Sequence, residues 1–152
     1  MNDLTKKPIT ILMADDDEDD RLLTKDALDE SRVLNQLYCV EDGEELLHYL
    51  KRQGRYQDED KYPRPSLILL DLNMPKKDGR EALKEIKQDP DLKTIPVVIL
   101  TTSKQEEDMV KGYGLGAASY ITKPVNFEGL VSLMKALGRY WIEFVELPNN
   151  RR

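Results

Sequence analysis

The sequence predicts a doubly wound α/β fold: a five-stranded parallel sheet flanked by five helices, with the last helix extended. One observation is alternation, since short runs of branched aliphatics take turns with stretches of helical periodicity, about five of each and without internal repeat. Another is the way the runs end. Leu67 to Leu70 is bounded by Pro65 and Pro75, too short for a helix, and stops abruptly on Asp71. In an open parallel sheet that carboxyl edge is where loops form a crevice and ligands bind.

Length and composition bound the answer. At 152 residues the chain is expected to be one domain over 1–152, with a core of about 9–140, an extension over 141–152 and no output domain. Charged residues make up 34% and hydrophobic ones 39%, the balance of a soluble globular chain. A net charge of −6 argues against nucleic acid or an anionic membrane as partner, because both reward clustered Lys and Arg. No apolar run approaches the ~20 residues of a spanning helix, and the stretch from Met1 to Lys7 lacks the apolar core of a signal peptide, so a cytoplasmic location is expected. Cys39 has no partner for an internal disulfide and reads as a small core hydrophobe. His48 lies far from any second ligand and reads as an ordinary histidine.

Ile9 to Ala14 is the first buried strand and runs into the acids Asp15 to Asp20. The end of that acidic run caps and charges a helix whose apolar face is read as Leu22, Leu23, Ala27 and Leu28. Asp15 and Asp16 precede the helix and have no such explanation, since carboxylates crowded at a strand edge repel unless a cation is present. A calcium loop would want Gly and Glu where Asp20 and Asp26 stand. Leu37 to Val40 is the second strand, and Glu44 to Lys51 the next helix. Gln53 to Pro65 is a polar surface loop long enough to serve in recognition. Ala82, Leu83 and Ile86 mark a helix that ends near Asp89 and Pro90.

Pro96 to Leu100 is a strand that meets the hydroxyls of Thr101, Thr102 and Ser103, and a charged helix is expected from Lys104 to Tyr113. Ser119 to Thr122 is the last strand, ending in Lys123 and Pro124, where a cis bond would aim the lysine back across the sheet edge. The final helix starts near Asn126 and carries Leu130, Leu133, Met134, Leu137, Trp141 and Phe144 at helical spacing. That stripe outruns what one domain face requires. The tail folding back or a second copy of the chain could bury it; large exposed aromatic surfaces mark interfaces, so a homodimer through the last helix and its extension is expected.

The carboxyl edge thus collects Asp15, Asp16, Asp71, Thr101 and Lys123. Clustered carboxylates suit a hard cation, and Mg2+ fits best because it accepts a few carboxylates together with waters and phosphate oxygens. An Asp that attacks phosphorus becomes an acyl phosphate, and that reaction asks mainly for positioning and charge neutralisation. A phosphohydrolase using Asp71 as nucleophile would want a general acid two residues on, where Asn73 cannot donate a proton.

The acidic pair after a strand, the sequence Asp71-Leu72-Asn73-Met74-Pro75, the strand-end Thr101 and the Lys123-Pro124 pair, in this order, resemble the receiver domains of two-component response regulators. The resemblance runs from Ile9 to about Tyr140. It implies a flavodoxin-like receiver fold with Asp71 as phosphoacceptor, a signalling protein rather than an enzyme. It further implies that Asp16 and Asp71 hold Mg2+ by carboxylates, Asn73 by its backbone carbonyl, and Asp15 through a metal-bound water. Thr101 resembles the switch hydroxyl, Tyr120 the switch aromatic, and Lys123 with a cis Pro124 the active-site lysine. The long loop before Asp71 and the ending Tyr140-Trp141-Ile142-Glu143-Phe144 are similar to stand-alone receivers of cyanobacterial phytochrome histidine kinases, which implies a kinase of that type as partner. The rival within this fold is a pseudo-receiver that binds partners without accepting phosphate.

Overall fold

In the computed structural model, which describes residues 9–32, 35–111, 114, 116–124 and 126–140, the strands are β1 (Ile9–Ala14), β2 (Asn35–Val40), β3 (Leu67–Asp71), β4 (Val97–Thr101) and β5 (Ser119–Thr122). They alternate with α1 (Glu18–Ser31), α2 (Gly43–Leu50), α3 (Gly79–Gln88), α4 (Lys104–Lys111) and α5 (Phe127–Tyr140). All strand pairs are parallel, in the order β2-β1-β3-β4-β5. The winding therefore reverses at β1, whose neighbours are β2 and β3. A crevice opens at such a reversal because successive connections leave toward opposite faces.

Side chains alternate along each strand and build a core on both faces. Leu12, Ala14, Ile68, Leu70, Val97 and Ile99 pack with Leu46, Leu47, Leu83 and Ile86 of α2 and α3. Ile11, Met13, Leu67, Leu69, Val98 and Leu100 pack with Ala27, Leu28 and Met134 of α1 and α5. Every residue of β3 and β4 is buried, which is why those strands read as unbroken apolar runs. Helix starts follow their caps: Asp17, Asp42 and Asp78 each accept backbone N–H groups from the first turns of α1, α2 and α3. Among the described residues no helix is long and apolar enough to cross a membrane.

Two expectations are corrected. Leu22 and Leu23 are 53% and 45% exposed; the buried side of α1 is instead Thr24, Ala27, Leu28 and Ser31. Cys39 is exposed rather than in the core, because β2 is an edge strand covered on fewer sides than its neighbours. The segment 53–65 is a surface loop as expected, and it is anchored to the domain. It forms a short 3-10 turn, Gly54–Tyr56, and the Tyr49, Tyr56 and Tyr62 rings pack together with centroids 4.8–5.8 Å apart, Tyr62 meeting the other two edge to face. The Tyr49 hydroxyl donates to the Pro63 carbonyl at 2.8 Å. Because this segment enters β3 at its amino end, it lies across the sheet from the carboxyl edge.

Candidate functional site

The crevice at the winding reversal is lined by acids. Asp15 follows β1 directly, fully buried, and its backbone N–H donates to the Val40 carbonyl at 3.1 Å, so the β1–β2 ladder extends one residue to hold it. Asp71 is the last residue of β3 and is buried, whereas Asp16 is exposed at the mouth. One carboxylate oxygen from each of Asp15, Asp16 and Asp71 lies within 4.8 Å of the others. Three carboxylates that close, with only oxygen donors, fit a hard divalent cation.

The electrostatics agree. Burial pushes the Asp71 carboxyl up to about 6, with the neighbouring Asp15 and Asp16 adding to the rise while Lys123 opposes it. Burial likewise raises Asp15 above the usual carboxylate range, despite a hydrogen bond from the Asp17 N–H at 2.9 Å and the nearby Lys123. A cation would relieve both. Gly79 keeps the crevice floor tight: its N–H donates to the Leu72 carbonyl at 2.8 Å, and a methyl there would stand 2.5 Å from the Asp71 carbonyl oxygen.

Lys123 reaches the acids from the other side of the sheet. Its N–H donates to the Thr101 carbonyl at 2.8 Å, continuing the β4–β5 ladder past Thr122. Its Nζ lies 3.0 Å from Asp15 Oδ2 and 2.7 Å from Asp20 Oδ2. Burial disfavours its charge, but the hydrogen bond to Asp20 and the fields of Asp15 and Asp71 outweigh that and raise its pKa. The Lys123–Pro124 bond is trans, contrary to the cis expectation; no peptide among the described residues is cis. With Lys123 fixed by the extended ladder, its four-carbon stem spans to the carboxylates without a reversal of the chain.

The other sequence-selected residues surround this centre. Thr101 is fully buried at the end of β4, and its hydroxyl is directed to the β5 side, 3.4 Å from the Ile121 carbonyl, 3.4 Å from Thr122 Oγ1 and 3.3 Å from the Ser103 carbonyl. Thr122 in turn donates to Glu107 Oε1 at 2.8 Å. Asn73 donates its N–H to Asp71 Oδ1 at 3.4 Å and its side-chain amide to Glu106 Oε2 at 3.1 Å, tying the loop after β3 to the first turn of α4. Tyr120 is partly buried against the core on the α2–α3 face. Trp141 and Phe144 lie outside the described residues, as does the Tyr140 side chain.

Sequence alone does not single out Asp20, whose place in the acidic run reads as helix charge. A signal was present: Asp20, Thr24, Ala27 and Ser31 recur at helical spacing along one side of α1, so the acid heads the inward stripe.

Comparison with known proteins fits the geometry. Residues 11–135 match the family model described as the response regulator receiver domain. The chain belongs to this receiver family. It is 44% identical over 148 residues to the response regulator Rcp1 of Synechocystis sp., covering 97% of this chain and 99% of that protein. The crystal structure of the phosphorylated cyanobacterial phytochrome response regulator RcpA is similar at a TM-score of 0.79 and 43% identity, covering 90% of this chain and 96% of that one. The Mn2+-bound form of Rcp1 is similar at a TM-score of 0.76 and 44% identity, covering 91% and 97% respectively. This receiver is therefore a response regulator of two-component signalling, homologous to phytochrome response regulators, with the five-stranded flavodoxin-like fold of its family. As a receiver it is a signalling protein whose partner is a histidine kinase, and receivers bind a divalent cation in an acidic pocket of this kind.

Proposed function

We propose that Asp71 accepts a phosphoryl group from a phytochrome-type histidine kinase, and that the resulting charge re-poses a partner-binding surface. The observation that carries this is the convergence of Asp15, Asp16 and Asp71 within 4.8 Å, with the Lys123 ammonium bonded to the same cluster. Mg2+ would be held by Asp16 and Asp71 directly, by the Asn73 carbonyl, and by Asp15 through water; that the similar Rcp1 has an Mn2+-bound form supports a divalent ion here. When bound, it neutralises charge on the carboxylates and on the incoming phosphoryl oxygens.

The chain's own residues do the rest. An Asp71 carboxylate oxygen forms the bond to phosphorus as the bond to the donor breaks, giving an acyl phosphate. Lys123 meets a second phosphoryl oxygen and the Thr101 hydroxyl a third. To do so Thr101 gives up its partners on β5, and Tyr120 turns into the space it leaves, changing the face made by α4, β5 and α5. Charge-assisted hydrogen bonds contribute about 1.5–3 kcal/mol each, so two of them approach the ~5.5 kcal/mol that reverses a strongly biased equilibrium. The receiver works as a homodimer through the last helix and the aromatic residues Tyr140, Trp141 and Phe144, in the cytoplasm.

Incubation with acetyl phosphate and Mg2+, read by intact mass, tests the assignment. The parent gains one phosphoryl group, the Asp71→Asn variant gains none, and omitting Mg2+ suppresses the gain. Full labelling of Asp71→Asn would overturn the acceptor role, and hydrolysis of organic phosphates without an adduct would favour a phosphohydrolase.

A further inference from the structure

We propose that Asp20 is a positioning residue: it holds the Lys123 ammonium away from the phosphoacceptor in the resting state, and phosphorylation must break that pairing. The inference rests on Asp71 as acceptor and Lys123 as its phosphoryl-binding cation. Lys123 Nζ makes its shorter hydrogen bond with Asp20 Oδ2, at 2.7 Å, and a longer one with Asp15 Oδ2, at 3.0 Å. No hydrogen bond or ion pair joins it to Asp71 among the described residues. A phosphoryl oxygen on Asp71 therefore competes for an ammonium that already has two carboxylates.

Which carboxylate yields follows from their surroundings. Asp15 is fully buried, its other oxygen is fixed by the Asp17 N–H at 2.9 Å, and no bulk water reaches it to replace Lys123. The Asp20 side chain is 35% exposed, at the first turn of α1, where water replaces a lost partner at little cost. Asp20 is thus the releasable anchor, and the strength of its hold sets part of the barrier to phosphorylation. It is not needed to cap the helix, because Asp17 does that by accepting the Asp19 and Asp20 N–H groups.

The test compares labelling by acetyl phosphate and Mg2+ in four full-length proteins: the parent, Asp20→Asn, Asp20→Glu and Asp19→Asn. Asp20→Asn keeps the shape and loses the ion pair, so it is labelled about three- to tenfold faster, the worth of one partly exposed charge-assisted bond. Asp20→Glu restores a carboxylate and returns the rate toward the parent. Asp19→Asn removes the same charge from the same turn without touching Lys123, and its rate stays near the parent. Equal acceleration in Asp19→Asn would reduce the effect to bulk charge and overturn the proposal. So would an unchanged or slower rate in Asp20→Asn with helix content retained. A parent that takes no label overturns instead the reading of Asp71 on which the proposal rests.

Discussion

At the scale of single residues, Asp71 combines two demands that oppose each other. As the proposed nucleophile it must be ionised, yet burial pushes its carboxyl up to about 6 from the ordinary 3.8. In the unfolded chain it loses its proton near the ordinary value. Below that, both states hold the proton and burial costs nothing. Between about pH 4 and 6 the unfolded state releases it first, so stability falls as pH rises; above 6 the cost is constant, at about 2–3 kcal/mol. In metal-free protein, Asp71→Asn should therefore be more stable than the parent at pH 8 by about that amount, with the gap closing toward pH 4. Urea titrations at the two pH values check it, and a gap independent of pH would count against the buried carboxylate as its source. Such a cost at a strand end is not something an Asp reveals by itself in the sequence. What made Asp71 legible was the company of Asp15, Asp16, Thr101 and Lys123 at the ends of other strands.

Single elements differ in how plainly they were written. β3 and β4 are buried on both faces and surrounded by punctuation, so any reading of their apolar runs places them correctly. α1 is harder. Its inward stripe is Thr24, Ala27, Leu28 and Ser31, small and partly polar, while the larger Leu22 and Leu23 face outward, so hydrophobicity pointed to the wrong side. The same inversion hid Asp20. In the segment 53–65 the polar residues advertised a loop, and only tertiary contact let Tyr56 and Tyr62 dock on Tyr49. The start of α3 carries a sharper requirement. A methyl on Gly79 would lie 2.5 Å from the Asp71 carbonyl and 2.8 Å from Leu72 Cα, contacts that only a backbone shift relieves. Overpacking of this kind costs about 1–3 kcal/mol, more than the ~1 kcal/mol that Ala gains over Gly in a helix. Gly79→Ala is expected to melt earlier than the parent and, because the displaced backbone belongs to Asp71, to be labelled more slowly by acetyl phosphate.

Across the whole molecule, the site is assembled from residues 15 to 123 and exists only when β1, β3, β4 and β5 are in register. In the proposed function, the sheet is the route by which charge placed on Asp71 reaches the face made by α4, β5 and α5. The apolar spacing of Leu130, Leu133, Met134 and Leu137 places α5 against the core, with Met134 buried and the other three half-buried. Only part of that stripe is consumed by the domain itself. Trp141 and Phe144 continue the same spacing in sequence, and burying two aromatics is worth several kcal/mol, enough to drive association when a second copy offers the matching stripe. A two-fold pairing would set the two switching faces, each including α5, side by side, so that phosphorylation of either chain alters a shared surface. Sedimentation equilibrium on Trp141→Ala combined with Phe144→Ala should give the mass of one chain where the parent gives two, with labelling of Asp71 retained. Equal mass for both proteins would leave the phosphoryl chemistry standing and remove the dimer from the output.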